Sequence, residues 1–242
     1  MRVLTIFIYL FFGFSISGIA QDQTSHPLII GLGLSRCEIK YDNSNYDRPN
    51  SLGFSANITY QMSAHPIYNI VLGLKYSYLN FEATQPISWL VFGEGLWQGN
   101  SKISASHHQL SLPIMLKFTP IKIPLSLYAG GEIGFPFNGV AEIEHIVKRS
   151  SDNSVVFEGD SKYDYSRFLR DINIGYVIGI GYNVSIIGNV FIVSIKYYAT
   201  LNSLFQPVDH SKELPPEFPL DTFIMEDMYQ NELILSIGMQ LN

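Results

Sequence analysis

The segment 108–118, HQLSLPIMLKF, constrains the fold more than any other part of the chain. Large apolar residues occupy every second position from Leu110 to Phe118, and the residues between them are mostly small or polar. This period of two is the pattern of a β-strand, whose successive side chains point to opposite faces. Globular strands usually have about five or six residues, whereas a tilted strand that crosses a bilayer needs about nine to eleven. The length of the pattern therefore indicates a membrane-spanning strand.

The same alternation recurs along the chain and predicts eight strands. They occupy 28–40, 50–62, 68–81, 108–118, 124–135, 170–184, 190–201 and 231–242. The connections alternate between long and short, which is typical of outer-membrane barrels with short periplasmic turns and longer extracellular loops. We therefore predict an all-β fold, an eight-stranded antiparallel up-and-down transmembrane β-barrel with both ends in the periplasm.

The long connections that would give the barrel its specificity are predicted at 82–104, 136–169 and 202–230. Within the second of them, the segments 140–147 and 154–157 are expected to form a strand extension or a hairpin above the membrane. One strand contains a proline, which has no backbone donor, and a closed barrel has no edge strand to hold it. We therefore expect a bulge or a local break in pairing at Pro113.

The two faces of the predicted strands distinguish between two kinds of barrel. In a soluble barrel of the lipocalin type, the apolar face lines a ligand cavity and the polar face meets water. Here the second face carries Gly, Ser, Asn, Thr and Gln, and only 15% of all residues are charged, against about 25% in ordinary soluble domains. Small polar residues fit the crowded lumen of an eight-stranded barrel. The membrane barrel is therefore preferred, and a soluble exported lipocalin-like barrel that binds an apolar small molecule is the alternative.

The N-terminus predicts export. A short basic start precedes an apolar run over 3–19, and 18–20 is a small-x-small cleavage signal, which is typical of a secretory signal peptide. The predicted organisation is a signal peptide at 1–20 and an outer-membrane β-barrel domain at 21–242, with an uncleaved anchor as the alternative for the first segment. The single Cys37 excludes an internal disulfide. The net charge of −6 argues against nucleic acid as a partner, because phosphate binding requires a basic surface.

The signal peptide, the eight apolar-faced strands and the segment HQLSLPIMLKF together resemble the PorT-like barrels, an outer-membrane β-barrel family common in Bacteroidetes. In that family a strand of the type Leu-x-Leu-Pro-Leu-Leu-Lys-Tyr recurs at this place, and the resemblance covers roughly 28–242. It implies a location in the bacterial cell outer membrane and the barrel-insertion machinery as a partner. For some members it also implies an accessory role in protein secretion. Many outer-membrane proteins end in an aromatic residue that this machinery reads, whereas this chain ends in Gly-Met-Gln-Leu-Asn.

Charged residues on the inward face predict a lumen charge cluster. Lys75, Glu132 and Lys196 lie at similar heights, and Lys117 lies closer to the periplasm. Because an unpaired charge in a low-dielectric interior is costly, such groups pair. We predict a polar plug in which Glu132 bridges Lys75 and Lys196. Structural filling of the lumen is the preferred role for this plug, and a gate or an ion path is the alternative.

The expected function is that of a small integral outer-membrane β-barrel protein with a mostly closed lumen and a structural, adhesive or accessory role through its extracellular loops. We expect no enzymatic activity, no cofactor and no metal site, since His107 and His108 point to opposite faces of a strand and cannot chelate one metal as neighbours. The expected partners are the lipid bilayer of the outer membrane and an extracellular or periplasmic protein.

Overall fold

The computed structural model describes residues 27–40, 51–65, 67–91, 95–120, 123–204 and 229–241. The predicted signal peptide and most of the predicted loop 202–230 lie outside these residues. The described chain forms strands β1 (Leu28–Lys40), β2 (Ser51–His65), β3 (Tyr68–Val91), β4 (Gly95–Phe118), β5 (Leu125–Arg149), β6 (Val155–Asp164), β7 (Asn173–Ile186), β8 (Asn189–Thr200) and β9 (Tyr229–Leu241), with one short 3-10 helix (Ser166–Phe168) before β7. No helix among the described residues has the length and apolar character needed to cross a membrane.

The strands close into a ring. Neighbouring strands pair antiparallel in the order β1, β2, β3, β4, β5, β7, β8 and β9, and β9 pairs again with β1. This is the predicted eight-stranded barrel, and the predicted bounds of the first strand agree with those of β1. The remaining strand, β6, pairs with β5 beyond the ring and takes no part in its closure.

Over the membrane-spanning part of the ring, the apolar face of the strands points outward, as predicted. On β4, Ile114 and Leu116 are 54% and 51% exposed, whereas the intervening Met115 and Lys117 are only 2% and 4% exposed. The same alternation runs through β1, β7 and β9, where isoleucine and leucine side chains face outward around the ring. Since water does not favour such a continuous apolar surface, this belt is the surface that contacts lipid.

Aromatic rings mark the extracellular boundary of the belt. The imidazole of His108 lies 5.2 Å from the ring of Tyr78 and 5.6 Å from that of Phe137, and Phe54 packs 5.9 Å from Tyr76. The hydroxyl of Tyr76 is 2.6 Å from Nδ1 of His108. Amphipathic rings at this level are typical of the aromatic girdles of membrane barrels.

Two of the predicted extracellular loops are instead strands that continue above the lipid belt. β3 and β4 pair as far as Val91 and Gly95, so that 82–91 and 95–104 are paired strands and the prediction of a loop there is wrong. β5 continues to Arg149 and turns into β6, which confirms the predicted hairpin above the membrane and corrects the loop prediction for most of 136–169. The pattern of an apolar outward face does not extend into these parts, because their outward side chains meet water.

Strand pairing in the ring is irregular at two places. Ser106 pairs with Val140 and His108 with Phe137, so one residue of β4 faces two residues of β5, and Asn138 adopts a positive φ of 51° in this bulge. Such a bulge bends a strand, and here it lies where β5 leaves β7 and begins to pair with β6. The second irregularity is a gap in the ladder between β3 and β4 at Pro113, without a change of register. The predicted break in pairing is therefore confirmed, and a bulge is not formed.

An apolar cluster lies inside the extracellular end of the ring. Its buried members come from several strands, from the segment that follows β6 and from the residues that follow β8: Cys37, Leu79, Phe81, Ile103, Ala105, Ala141, Ile143, Tyr165, Leu169 and Leu204. We call this set the apolar cap. It covers the lumen from above, since each of its members is at most 3% exposed.

Candidate functional site

The centre of the lumen contains a buried ionic triad. The ammonium of Lys75 lies 3.0 Å from Oε2 of Glu132 and donates to Oε2 of Glu232 at 3.1 Å. The same ammonium lies 3.6 Å from the ring centroid of Tyr198. All four residues are buried. Because charges in such surroundings persist only when paired and hydrogen-bonded, this contact set ties β3, β5, β8 and β9 together across the lumen.

Neighbouring small residues make room for the triad. Gln109 on β4 donates from Nε2 to Ser111 of the same strand at 3.0 Å and to Oε1 of Glu132 on the neighbouring β5 at 3.4 Å. A Cβ atom at Gly134 would lie only 2.5 Å from Nε2 of Gln109, so a larger residue at this position would displace the amide. The small lumen residues that indicated a membrane barrel thus allow the long polar side chains to interdigitate.

The triad differs from the predicted plug in its centre and in one member. Glu132 contacts Lys75 as predicted, but the residue that bridges two partners is Lys75 rather than Glu132. Its second partner is Glu232, which the sequence reasoning missed. Extending the alternation of the last strand by one position would have found it, because Glu232 shares the inward face with Ile234 and Ser236.

Lys196 is not part of the triad. Its ammonium lies 5.1 Å from the ring centroid of Tyr128, and the described carboxylates form no ion pair with it. The predicted bridge from Glu132 to Lys196 is therefore wrong. The physical reason is the packing between them: one layer of mostly apolar side chains, among them Met115, Val177 and Ile234, fills this level of the barrel.

Lys117 lies nearer the periplasmic end, as predicted. It is buried, and it donates to Oε1 of Gln61 at 3.0 Å. Lys117 and Lys196 line one small cavity together with Tyr128 and hydroxyl side chains of neighbouring strands. The four residues of the predicted charge cluster therefore divide into an upper triad, with Lys75 and Glu132, and a lower lysine pair.

A second polar layer lies between the triad and the apolar cap. Nε2 of His107 is 3.1 Å from Oε1 of Gln230, and the hydroxyl of Tyr165 donates to the carbonyl of Ser106 at 3.0 Å. Burial raises the pKa of Tyr165 well above its ordinary value, so this loop hydroxyl keeps its proton for the hydrogen bond. His107 and His108 point to opposite faces of β4, as predicted, because one is buried and the other contacts Tyr76.

Two small cavities lie in the lumen of the described barrel. The cavity next to the triad has a volume of about 10 Å³ and the cavity between the two lower lysines about 20 Å³. A single water molecule needs at least about 10 to 15 Å³, so neither cavity forms a continuous path. No group of three metal-binding His, Cys, Asp or Glu residues occurs in the part of the chain that the structure describes.

Outside the lipid belt, the hairpins of β3–β4 and β5–β6 form a four-stranded sheet. Its outward face carries ion pairs, with Lys162 at 2.7 Å from Glu142 and Lys102 at 3.6 Å from Glu82. We call this part the extracellular sheet. In the turn that connects β5 and β6, the hydroxyl and amide of Ser154 donate to Asp152 and hold the pKa of its carboxyl below the ordinary value.

A groove crosses one side of the extracellular sheet. It has a volume of about 790 Å³ and is lined by the basic residues Lys102, Lys148 and Arg149, by Glu144 and by polar residues of both hairpins. It lies near the end of the sheet that is farthest from the lipid belt. This groove, unlike the two small lumen cavities, has the size of a binding site.

Comparison with known proteins identifies the family. The sequence profile described as "Outer membrane protein beta-barrel domain" matches residues 6–206. The chain therefore belongs to this family and is a β-barrel protein of the bacterial outer membrane. A search of curated proteins finds no match.

The solved structures that match this chain have low sequence identity to it. Ail, the attachment invasion locus protein of Yersinia pestis, has a TM-score of 0.43 and 14% identity, with 90% of this chain and 100% of that chain covered. Neisserial surface protein A has a TM-score of 0.35 and 8% identity, with 87% and 95% covered. The translocator domain of the autotransporter NalP from Neisseria meningitidis has a TM-score of 0.26 and 8% identity, with 97% and 96% covered.

Proposed function

We propose that this protein is a non-conducting, non-enzymatic outer-membrane barrel that displays the extracellular sheet to a partner outside the cell. The observation that carries the proposal is the continuation of β3, β4 and β5 beyond the lipid belt, where they join β6 in a sheet with a charged outward face. Ordering such long strands costs conformational entropy. Anchoring in the membrane alone would not require strands that continue beyond the lipid belt.

The edge of this sheet supports a binding role. β6 pairs with β5 on one side, and none of the described strands pairs with its other side. An edge strand presents unpaired N–H and C=O groups, to which an extended segment of a partner adds by backbone hydrogen bonds. Phe157 and Val155 on β6 are about half exposed, which adds apolar contact area to this edge.

The filled lumen supports the absence of conduction. The upper triad, the polar layer at His107 and the apolar cap succeed one another along the barrel axis. The same packing argues against the alternative of a soluble barrel with an apolar ligand cavity, because the large apolar side chains of the ring point outward and the two described lumen cavities are too small for an apolar ligand. An adhesive role through the extracellular sheet fits these features best.

The resemblance of segment 108–118 to PorT-like barrels supports a second candidate, an accessory role in protein secretion. A strain without this gene tests it. Loss of secreted proteins from the medium, restored by the wild-type gene, would support the secretion role. Normal secretion together with reduced surface adhesion would support display. Insertion by the barrel-insertion machinery is common to both candidates.

The display proposal is tested with a variant in which residues 142–162 are replaced by a short turn. The barrel should still fold, because β5 pairs with β7 below this segment, over 125–134. Cells that produce the wild type should adhere to immobilised matrix proteins or polysaccharides, and cells with the shortened variant should adhere at the level of the empty vector. A matched control is Ile187→Asn, which changes the opposite, periplasmic end. Equal adhesion by the wild type and the shortened variant at equal surface amounts would refute display by this sheet.

A further inference from the structure

The charges inside the barrel do not balance. The described lumen contains three lysines, Lys75, Lys117 and Lys196, and two glutamates, Glu132 and Glu232. This leaves a surplus of one positive charge. Both glutamates contact Lys75, so the triad carries one negative charge and the lower lysine pair carries two positive charges. An uncompensated charge in such an interior is costly, and a counterion removes that cost.

The lower lysine pair has free hydrogen-bond donors. Lys117 uses one donor on Gln61, which leaves two of the three donors of its ammonium. None of the described residues accepts a hydrogen bond from Lys196, whose described contact is the ring of Tyr128 at 5.1 Å. Gly179 lets Lys196 adopt this position, because a Cβ atom there would lie 2.7 Å from Cγ of the lysine.

The two lysines share a cavity with other donors. The cavity of about 20 Å³ is also lined by the hydroxyl side chains of Thr59, Ser194 and Ser236. Ser194 and Ser236 lie 2.8 Å apart, so one hydroxyl donates to the other and the second keeps its proton for another acceptor. The remaining walls include Val71, Ile29 and Ile192, which suit a weakly hydrated ligand better than a strongly hydrated one.

We propose that this cavity binds one halide-sized monovalent anion, held between the ammonium groups of Lys117 and Lys196 and by the neighbouring hydroxyls. A single negative charge neutralises the surplus of the lumen. The cavity is somewhat larger than one water molecule requires, which fits chloride and is too small for phosphate or sulfate. The anion is a structural ligand of the closed barrel, and the site is independent of the partner proposed for the extracellular sheet.

Bromide tests this site directly, because it replaces chloride and gives an anomalous X-ray signal. Crystals of the wild-type barrel grown in bromide should show an anomalous peak in the cavity, in contact with both lysines. The peak should disappear in Lys196→Met, which removes the surplus charge while keeping the length of the side chain. It should remain in the matched control Lys102→Met, whose lysine lies on the extracellular sheet and is about half exposed. Lys117→Met provides a second variant if the first does not fold.

A measurement in solution distinguishes a bound anion from an ion seen only in crystals. A ligand that binds only the folded state raises the unfolding midpoint. The wild-type midpoint in detergent should therefore be higher in sodium chloride than in sodium gluconate at equal ionic strength, and Lys196→Met should show no difference between the two salts. The absence of a peak in wild-type crystals, a peak that remains in Lys196→Met, or a peak without a chloride-dependent midpoint would each overturn the proposal, the last as an adventitious ion only.

Discussion

Replacing Lys75 is the most informative perturbation of the lumen, because it removes the residue that two carboxylates share. In Lys75→Met, Glu132 and Glu232 lose contacts of 3.0 and 3.1 Å and remain buried with like charges. Removing one partner of a buried ion pair costs about 3 to 5 kcal/mol, and here two partners are left uncompensated. We expect a loss in the free energy of unfolding at the upper end of that range.

Glu132→Gln gives the contrasting result. Lys75 keeps its contact with Glu232, so a pair of opposite charges remains, and the new amide oxygen still accepts a hydrogen bond from the ammonium. The expected loss is about 1 kcal/mol, the net contribution of an ordinary intramolecular hydrogen bond. The ratio between the losses in free energy of unfolding of the two variants therefore depends on which residue is the centre of the triad.

The assay is urea unfolding of the barrel in lipid vesicles, followed by tryptophan fluorescence and by the gel shift between boiled and unboiled samples. Lys162→Met is the control, because its ion pair with Glu142 is mostly exposed and should contribute at most about 1 kcal/mol. A loss for Glu132→Gln as large as that for Lys75→Met would show that Glu132 is the centre. A loss for Lys75→Met no larger than the control would refute the account of the triad.

Three further changes test the turn, the lumen and the polar layer below the cap. Ile187 adopts a φ of 49° in the turn between β7 and β8 and is almost fully exposed. Left-handed backbone costs a residue with a Cβ about 1 to 2 kcal/mol. Ile187→Asn should therefore raise the free energy of unfolding by about 1 kcal/mol in the same urea assay. Gly179→Leu should prevent closure of the ring, because its Cβ would meet Lys196 at 2.7 Å and a backbone oxygen at 2.8 Å. The check is loss of the heat-shifted gel band. The control is a normal band for Gly131→Ala, whose Cβ would have its nearest neighbour at 3.7 Å. Tyr165→Phe should cost about 1 kcal/mol, because the partly buried carbonyl of Ser106 loses its side-chain donor. Faster hydrogen exchange confined to the extracellular end would verify this cause.

Much of the barrel could be predicted from the sequence, because lipid on one side and a narrow lumen on the other impose a strict alternation. The bounds predicted for the first strand agree with β1, and the break at Pro113 follows from a missing donor in a ring without edges. The prediction failed at 82–104. There the strands have left the lipid, so the outward positions carry Lys102 and Glu82 instead of leucine, and the pattern that marks a membrane strand no longer applies.

The lumen site was predictable in kind but not in its pairing. Alternation alone placed Lys75, Glu132, Lys196 and Lys117 on the inward face, and burial of charge required that they find partners. Which groups meet depends on strand stagger and on the layer of apolar side chains that separates the triad from Lys196. Strand stagger and side-chain packing are three-dimensional properties, and the alternation of residues along the sequence does not specify them.

The closed lumen is the central claim of this account, and single-channel recording in planar lipid bilayers tests it most directly. The purified wild-type protein should give no conductance steps under conditions in which a general porin, added to the same bilayer, conducts. The layers formed by the triad, by His107 with Gln230 and by the apolar cap each exclude a continuous water path. Stable steps from the wild-type protein, absent from a mock preparation, would contradict the account.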